Sequence, residues 1–435
     1  MRALRHFRLL SSLLLLGAVA PGSVAAPLAH REVLPNGIRL LVAERPAIAI
    51  VVVRVSIRAG SAFDPPDAGG LANLTADLLT RGTTRRTAPE LDRAIEFVGG
   101  SLETDAGRDT ATVSLAVLKK DLDLGLDLLA EVLLQPAFPE DELKRKVTDI
   151  QAAIRRSEEN PESVAGRELA RVLYPGHPYA RPTSGAVESV GRLTREQVVR
   201  FHRERYRPDA AAIAVVGDVT EQGVREALLR RLGAWSAPAA PLPAIPMTPA
   251  KPPVESRKLS RELTQATVYL GGPAVRQDHP DYFPLLVANY VLGGGSASRL
   301  YTRVREERGL AYAVYGSILP GRYGAAYVVS LQTRVEAVTE AAQLVKEEMA
   351  RMGRQPVADR ELALAKAYLI GSFALRLDTS GKVAGLLIGI EENGLGLDYP
   401  DRFKAEVAKV TAADVQRVAK RYLDPAGFSS VMVSR

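Results

Sequence analysis

Residues 192–218, RLTREQVVRFHRERYRPDAAAIAVVGD, recur in outline at residues 409–435, KVTAADVQRVAKRYLDPAGFSSVMVSR. Thr194 and Thr411 each stand at a helix N-cap, and Gln197 or Asp414 follows three residues later, the spacing of a capping box. A periodic helix runs on from each cap, Pro208 or Pro425 ends it at the same interval, and an apolar strand comes next. Asp141-Glu142-Leu143 and Arg360-Glu361-Leu362, each opening a long helix, are a second matched pair. A repeat at about half the chain length means an internal duplication and not a solenoid.

The boundary between the two copies is Ser236–Pro253, SAPAAPLPAIPMTPAKPP, whose seven prolines favour a stiff, extended linker. This divides the chain into a domain at 27–235, a linker at 236–256 and a domain at 257–435. In the first copy Ile50–Arg58 and Thr110–Leu118 read as strands; Leu71–Arg81, Ala88–Phe97, Lys120–Leu134, Pro139–Arg156 and Thr194–Tyr206 read as helices. In the second, Thr267–Gly271, Ala311–Ile318 and Ala325–Thr333 read as strands, and Tyr282–Leu292, Ser298–Arg308, Val335–Met352 and Ala358–Ala374 as helices. Long helices against few strands predict an α+β chain of two homologous sandwich domains, each with its sheet on one side and helices on the other.

Hydrophobic content of 46% and charged content of 25% are those of a globular protein. Arg2, Arg5 and Arg8, the apolar run Leu9–Ala20 and the small-residue site Val24-Ala25-Ala26 make residues 1–26 a secretory signal peptide, which predicts export to a periplasm. Its three arginines reduce the formal charge of +7 to +4 on removal, too small a surplus to predict nucleic-acid binding. With no cysteine, the chain has no disulfide, thiolate metal site, cysteine nucleophile or lipid anchor on cysteine. No later apolar stretch reads as a membrane anchor.

The duplicated halves, GSAFDPPDAGGLANLTADLLTRGT at 60–83, YPGHPYARPTSG at 174–185 and RVREERGLAYAV at 303–314 together resemble the pitrilysin/insulinase/mitochondrial-processing-peptidase family across essentially the whole mature chain. The resemblance implies processing-peptidase-like domains forming one half of a clam shell. Active members are inverted zincins: the two histidines of an H-x-x-E-H helix bind zinc, its glutamate is the general base, and a downstream glutamate is the third ligand. Here Asn73 and Asp77 stand in place of the histidines, Ala76 in place of the base and Ala153 in place of the downstream ligand. The residues themselves point the same way, because the mature chain holds only His30, His177, His202 and His279, no two of them one helical turn apart. Asp77 alone also lacks the company of oxygen ligands that a hard cation needs. This chain is therefore expected to hold no metal and to cleave nothing alone.

Arg305 and Tyr312 match an arginine and a tyrosine that the family carries in its second domain, where the pair aligns substrate and hydrogen-bonds the carbonyl that becomes an oxyanion. A permanently charged guanidinium and a phenol suit that task. By residue type alone, Arg305 reads as a solvated helix edge and Tyr312 as a half-buried core tyrosine. The local pattern places Ser296 or Ser298 at an N-cap, Leu300, Tyr301 and Val304 on a buried stripe, Gly309 as a left-handed stop, and Leu310, Tyr312 and Val314 on one strand face. Arg308 reads as a charge at the helix C-terminus and His177 as a structural loop histidine. Gly293-Gly294-Gly295 is not a phosphate loop, since no strand feeds it and no Gly-Lys-Ser/Thr follows. It reads as a flexible inter-helix turn or, by the resemblance, a loop contacting substrate. The reading that follows is a non-catalytic, substrate-binding subunit of a heterodimeric zinc peptidase, with zinc in a paralogous H-x-x-E-H partner encoded next door. A catalytically dead homodimer that binds or shields peptides is the alternative.

Overall fold

The computed structural model describes residues 28–435; the signal peptide assigned to 1–26 lies outside them. The first half runs β1 (His30–Val33), β2 (Arg39–Glu44), β3 (Ile50–Ile57), α1 (Leu71–Leu78), α2 (Ala88–Phe97), β4 (Ser101–Ala106), β5 (Ala111–Leu118), α3 (Leu122–Leu134), α4 (Glu140–Glu159), α5 (Pro161–Leu173), α6 (Val187–Val190), α7 (Arg195–Arg205), β6 (Ala211–Gly217) and α8 (Glu221–Leu232). The second runs β7 (Ser256–Ser260), β8 (Gln265–Ala274), α9 (Tyr282–Leu292), a π-helical turn (Tyr301–Glu307), β9 (Ala311–Leu319), β10 (Ala325–Arg334), α10 (Val338–Arg354), α11 (Asp359–Ser372), α12 (Ser380–Glu392), α13 (Tyr399–Lys409), α14 (Ala412–Tyr422) and β11 (Ser429–Ser434).

The two sheets share one topology. Strand order is β1-β2-β6-β3-β5-β4 in the first and β7-β11-β8-β10-β9 in the second. Among the described residues only β2–β6 and β7–β11 are parallel pairs. Superposing the orders equates α1 with α9, α2 with the π-helical turn, β4 with β9, α4 with α11 and α5 with α12. Both caps form as their spacing predicts: Gln197 N–H donates to Thr194 Oγ1, and Asp414 N–H to Thr411 Oγ1. Each copy thus has more strands than the apolar runs alone predict. The unread ones, β1, β2, β4 and β7, are short or mostly polar; three of them are sheet edges, where water replaces one partner.

One face of each sheet packs on its own helices. The other face is covered by a helix from the opposite half. Val164, Ala165, Leu169 and Leu173 of α5 pack against Val328, Val431 and Val433 of the second sheet. Val383, Ala384, Leu387 and Ile388 of α12 pack against Leu41, Ala43, Ala212, Ala214 and Val216 of the first. A Cβ at Gly271 would lie 2.8 Å from the tip of the Leu169 side chain, so α5 sits close on β8 at this glycine. Arg31 clamps Glu391 at the end of α12 bidentately, at 2.7 and 2.9 Å, and Ser56 donates to Glu392.

The proline-rich segment between the halves is extended and tied down. Arg207 donates to the carbonyls of Pro238 and Ala240. His177 accepts from Tyr179 N–H on Nδ1 and so donates from Nε2 to Pro246 O at 2.9 Å, a structural role. Among the described residues, no helix is long and apolar enough to cross a membrane.

Candidate functional site

Two places in the fold carry the residues singled out above. The first is α1. Gly70, with φ of +94°, turns the chain into the helix, and the Asp64 carboxylate accepts from Gly70 N–H (2.9 Å) and Ala72 N–H (2.8 Å). Burial pushes the Asp64 carboxyl up to about 7 against the pull of those two bonds. On the helix, Asn73 and Asp77 are half-buried and Ala76 is fully buried, while Ala153 is exposed on α4 alongside. Burial raises the Asp77 carboxyl above its ordinary range, and Lys146 of α4 works against that shift.

These residues do not fit a zinc ion. Asn73 and Asp77 offer one neutral and one anionic oxygen donor, Ala76 and Ala153 offer methyl groups, and the neighbouring cation Lys146 repels a second positive charge. The only close group of metal-ligand side chains among the described residues lies elsewhere: His30, Glu32 and Glu221 gather where β1 meets the start of α8, with their ligand atoms within 4.8 Å of one another. The sequence alone does not reveal that group, because Glu221 is distant in the chain. Its members are already engaged, His30 with Glu221 at 2.8 Å and Glu32 with Arg225 at 2.9 Å. It sits at the opposite edge of the sheet from β4, against which α1 packs.

The second place is the π-helical turn and β9. Ser298 caps the turn, accepting from Tyr301 N–H at 3.4 Å, and Leu300 and Val304 are buried as expected. Two details differ from the expectation. The segment is not a regular α-helix, since Tyr301–Glu307 is π-helical and closes with Leu310 N–H on Val304 O beyond the left-handed Gly309 (φ +59°). Nor does Tyr312 share a face with Leu310 and Val314. Those two are buried, whereas Tyr312 is 72% exposed. The cause is a β-bulge: Ala311 pairs with Thr333 and Ala313 with Gln332, so Tyr312 is an extra residue in β9 and turns outward.

That outward turn brings Tyr312 to Arg305. The guanidinium lies 4.8 Å from the Tyr301 ring centre and 5.7 Å from that of Tyr312. The other arginines of the segment are paired: Arg299 with Glu361, Arg303 with Glu348 and Arg308 with Glu340. Among the described residues Arg305 has no carboxylate within ion-pair distance, so its charge is held between aromatic faces and offered outward.

The three glycines have a packing reason. Gly293 O accepts from Gly316 N–H of β9 at 2.9 Å, and a Cβ at Gly293 would lie 2.5 Å from that nitrogen. A Cβ at Gly294 would lie 2.7 Å from the Tyr290 backbone. The turn borders a cleft of about 410 Å³ lined by Gly293, Gly294, Tyr315, Ser317 and Arg376. A larger cavity, about 1020 Å³, is elsewhere, between the proline-rich segment, β8 and the end of α14.

Comparison with known proteins fits this geometry. Residues 39–187 match the family described as Insulinase (Peptidase family M16), and residues 192–369 match the Peptidase M16 inactive domain. An uncharacterized zinc protease of Mycobacterium tuberculosis is 31% identical over 414 residues, covering 93% of both chains. A non-peptidase homolog of Helicobacter pylori is 25% identical, covering 97% of both. Among solved structures, a peptidase M16 inactive-domain protein from Pseudomonas fluorescens superposes with a TM-score of 0.88 at 27% identity, covering 93% of this chain and 98% of that one. A protease from Helicobacter pylori superposes at 0.86 and 20% identity, covering 94% and 100%, a likeness of fold.

Proposed function

Because the chain belongs to the peptidase M16 (insulinase) family and yet carries Asn73, Ala76, Asp77 and Ala153 where zinc chemistry needs ligands and a base, we propose that it is the non-catalytic, substrate-binding subunit of a heterodimeric zinc peptidase. The partner is a paralogous chain with an intact H-x-x-E-H helix, exported like this one. Arg305 and Tyr312 face the partner's site across a closed chamber. There the guanidinium and the phenol O–H donate to a substrate carbonyl and stabilise the negative charge that develops on its oxygen.

The observation that carries this reading is the unpaired Arg305. Within this glutamate-rich segment Arg299, Arg303 and Arg308 each meet a carboxylate. Arg305 instead lies against two tyrosine rings, one of them turned out by a bulge that disturbs the β9–β10 ladder. Local distortions of this kind concentrate at working sites.

The test is to purify the chain alone and with its H-x-x-E-H neighbour and to assay unstructured peptides. Cleavage by the pair and none by this chain is the expected result. Zinc-dependent cleavage by this chain alone would overturn the proposal. A stable homodimer with no effect of the neighbour would replace it with a peptide-shielding role.

A further inference from the structure

A helix on the surface of a globular protein is ordinarily apolar on one side and charged on the other. Helix α11 is not. Its inner side carries the buried Ala365, Leu369 and, just past its end, Phe373. Its outer side presents Ala363, Leu364, Ala367, Tyr368 and Gly371, continued by Ala374 and Leu375. Leu364, Tyr368 and Leu375 are 48%, 52% and 62% exposed. The one charge in this span, Lys366, points away and donates to Ala408 O at 2.8 Å. The equivalent helix of the first half, α4, carries Arg145, Asp149 and Arg156 where α11 has Leu364, Tyr368 and Leu375. The position in the fold therefore does not require an apolar face.

This face continues into the site proposed above. Tyr368 stacks on Tyr290 with ring centres 4.5 Å apart, and the Gly294 turn packs on the Tyr290 backbone. Gly293 bonds to Gly316, which follows Tyr315, and Tyr315 lies 6.5 Å from the Tyr301 ring that holds Arg305. Arg376, next to Leu375, lines the same cleft as Gly294 and Tyr315.

We infer that the outer face of α11 binds the apolar side chains of an extended peptide whose backbone runs on to Arg305 and Tyr312. The inference rests on the substrate-binding reading and adds the class of peptide: unfolded segments rich in leucine, valine, isoleucine and phenylalanine. Size favours a peptide over a protein partner. From residue 363 to residue 375 a helix rises about 18 Å and is about 10 Å wide. That gives roughly 200 Å², well short of the roughly 800 Å² per partner of a stable interface. It matches about five or six extended residues at roughly 3.3 Å each.

The experiment measures binding of the isolated mature chain to a fluorescein-labelled peptide of leucine, valine and phenylalanine flanked by serines, against a glycine–serine peptide of equal length. The expected result is preference for the apolar peptide, weakened about tenfold or more by Leu364→Lys and, separately, by Ala367→Arg. Both positions are exposed, and circular-dichroism melts check that each variant folds. Unchanged affinity in both variants would overturn the inference, as would a wild-type dimer that Leu364→Lys converts to a monomer by light scattering. Arg305→Ala in the assembled pair reads the other proposal. Lost turnover there with unaltered peptide affinity in the α11 variants sinks the α11 face alone. Lost affinity in the α11 variants with no peptidase activity in any pairing sinks the subunit reading alone.

Discussion

Arg305 and Tyr312 lie on either side of the left-handed Gly309, and their side chains converge to 5.7 Å because the helix widens into a π turn and the strand gains a residue. Neither distortion stabilises the chain by itself. Tyr312 leaves an apolar strand face for water, and Arg305 forgoes the ion pair its neighbours make. In the proposed complex with an H-x-x-E-H partner, Arg305→Ala or Tyr312→Phe is expected to lower turnover by about 10²-fold if an oxyanion contact is lost. Melting temperature should stay nearly constant, since exposed changes usually stay within about 0.5 kcal/mol. Steady-state kinetics beside thermal melts check both.

Helix α1 has lost its chemistry and kept its anchor. Asp64→Ala orphans two backbone N–H groups at a buried helix N-terminus and is expected to cost about 2 kcal/mol. Urea unfolding of the two proteins measures it. Asp64→Asn, which keeps one acceptor oxygen, should cost less.

The absence of a fitting ligand set at α1 predicts that a chelator leaves the melting temperature unchanged. Restoring Asn73→His, Ala76→Glu, Asp77→His and Ala153→Glu together should introduce zinc binding, with Lys146→Gln raising its affinity further by removing the local cation. Elemental analysis of the purified variants reads the stoichiometry. Unaltered zinc content in the restored protein would mean that α1 and α4 do not occupy the places the family resemblance implies.

His202 governs part of the acid response. It is enclosed between Phe138 and Tyr206, its Nε2 is 2.9 Å from Leu133 O, and burial pushes its pKa down to about 4. The unfolded chain protonates this histidine near its ordinary 6.5 while the folded one resists. Stability is therefore full above about 6.5 and is lost as pH falls towards about 4, by on the order of 3 kcal/mol. His202→Gln removes that titration, so its melting temperature should fall less than the wild type's between those limits.

Sequence carried the duplication clearly, because caps at Thr194 and Thr411 and prolines at 208 and 425 are local signals. The choice of Arg305 and Tyr312 was legible only through family resemblance. Residue type left both ambiguous, and the bulge opposite Gln332 and Thr333 depends on a partner strand that no local pattern announces. The grouping of His30 with Glu221 was hidden for the same reason. Helix α5 was legible yet unread, since Asn160-Pro161 is a sound N-cap and first-turn signal; α12 was hidden, because Gly381, Gly385 and Gly389 weaken its pattern. The apolar outer face of α11 was in plain view as letters, but only the fold says which letters face out.

The exchange of α5 and α12 has a consequence for how such a chain comes apart. Severed within the linker, each half would be left with one bare sheet face and one orphaned helix, and the matching pieces would be on the other fragment. The halves are thus each other's solubility partner: expressed singly they should aggregate, and expressed together they should find one another without the peptide bond. The linker keeps at hand two surfaces that each need the other covered.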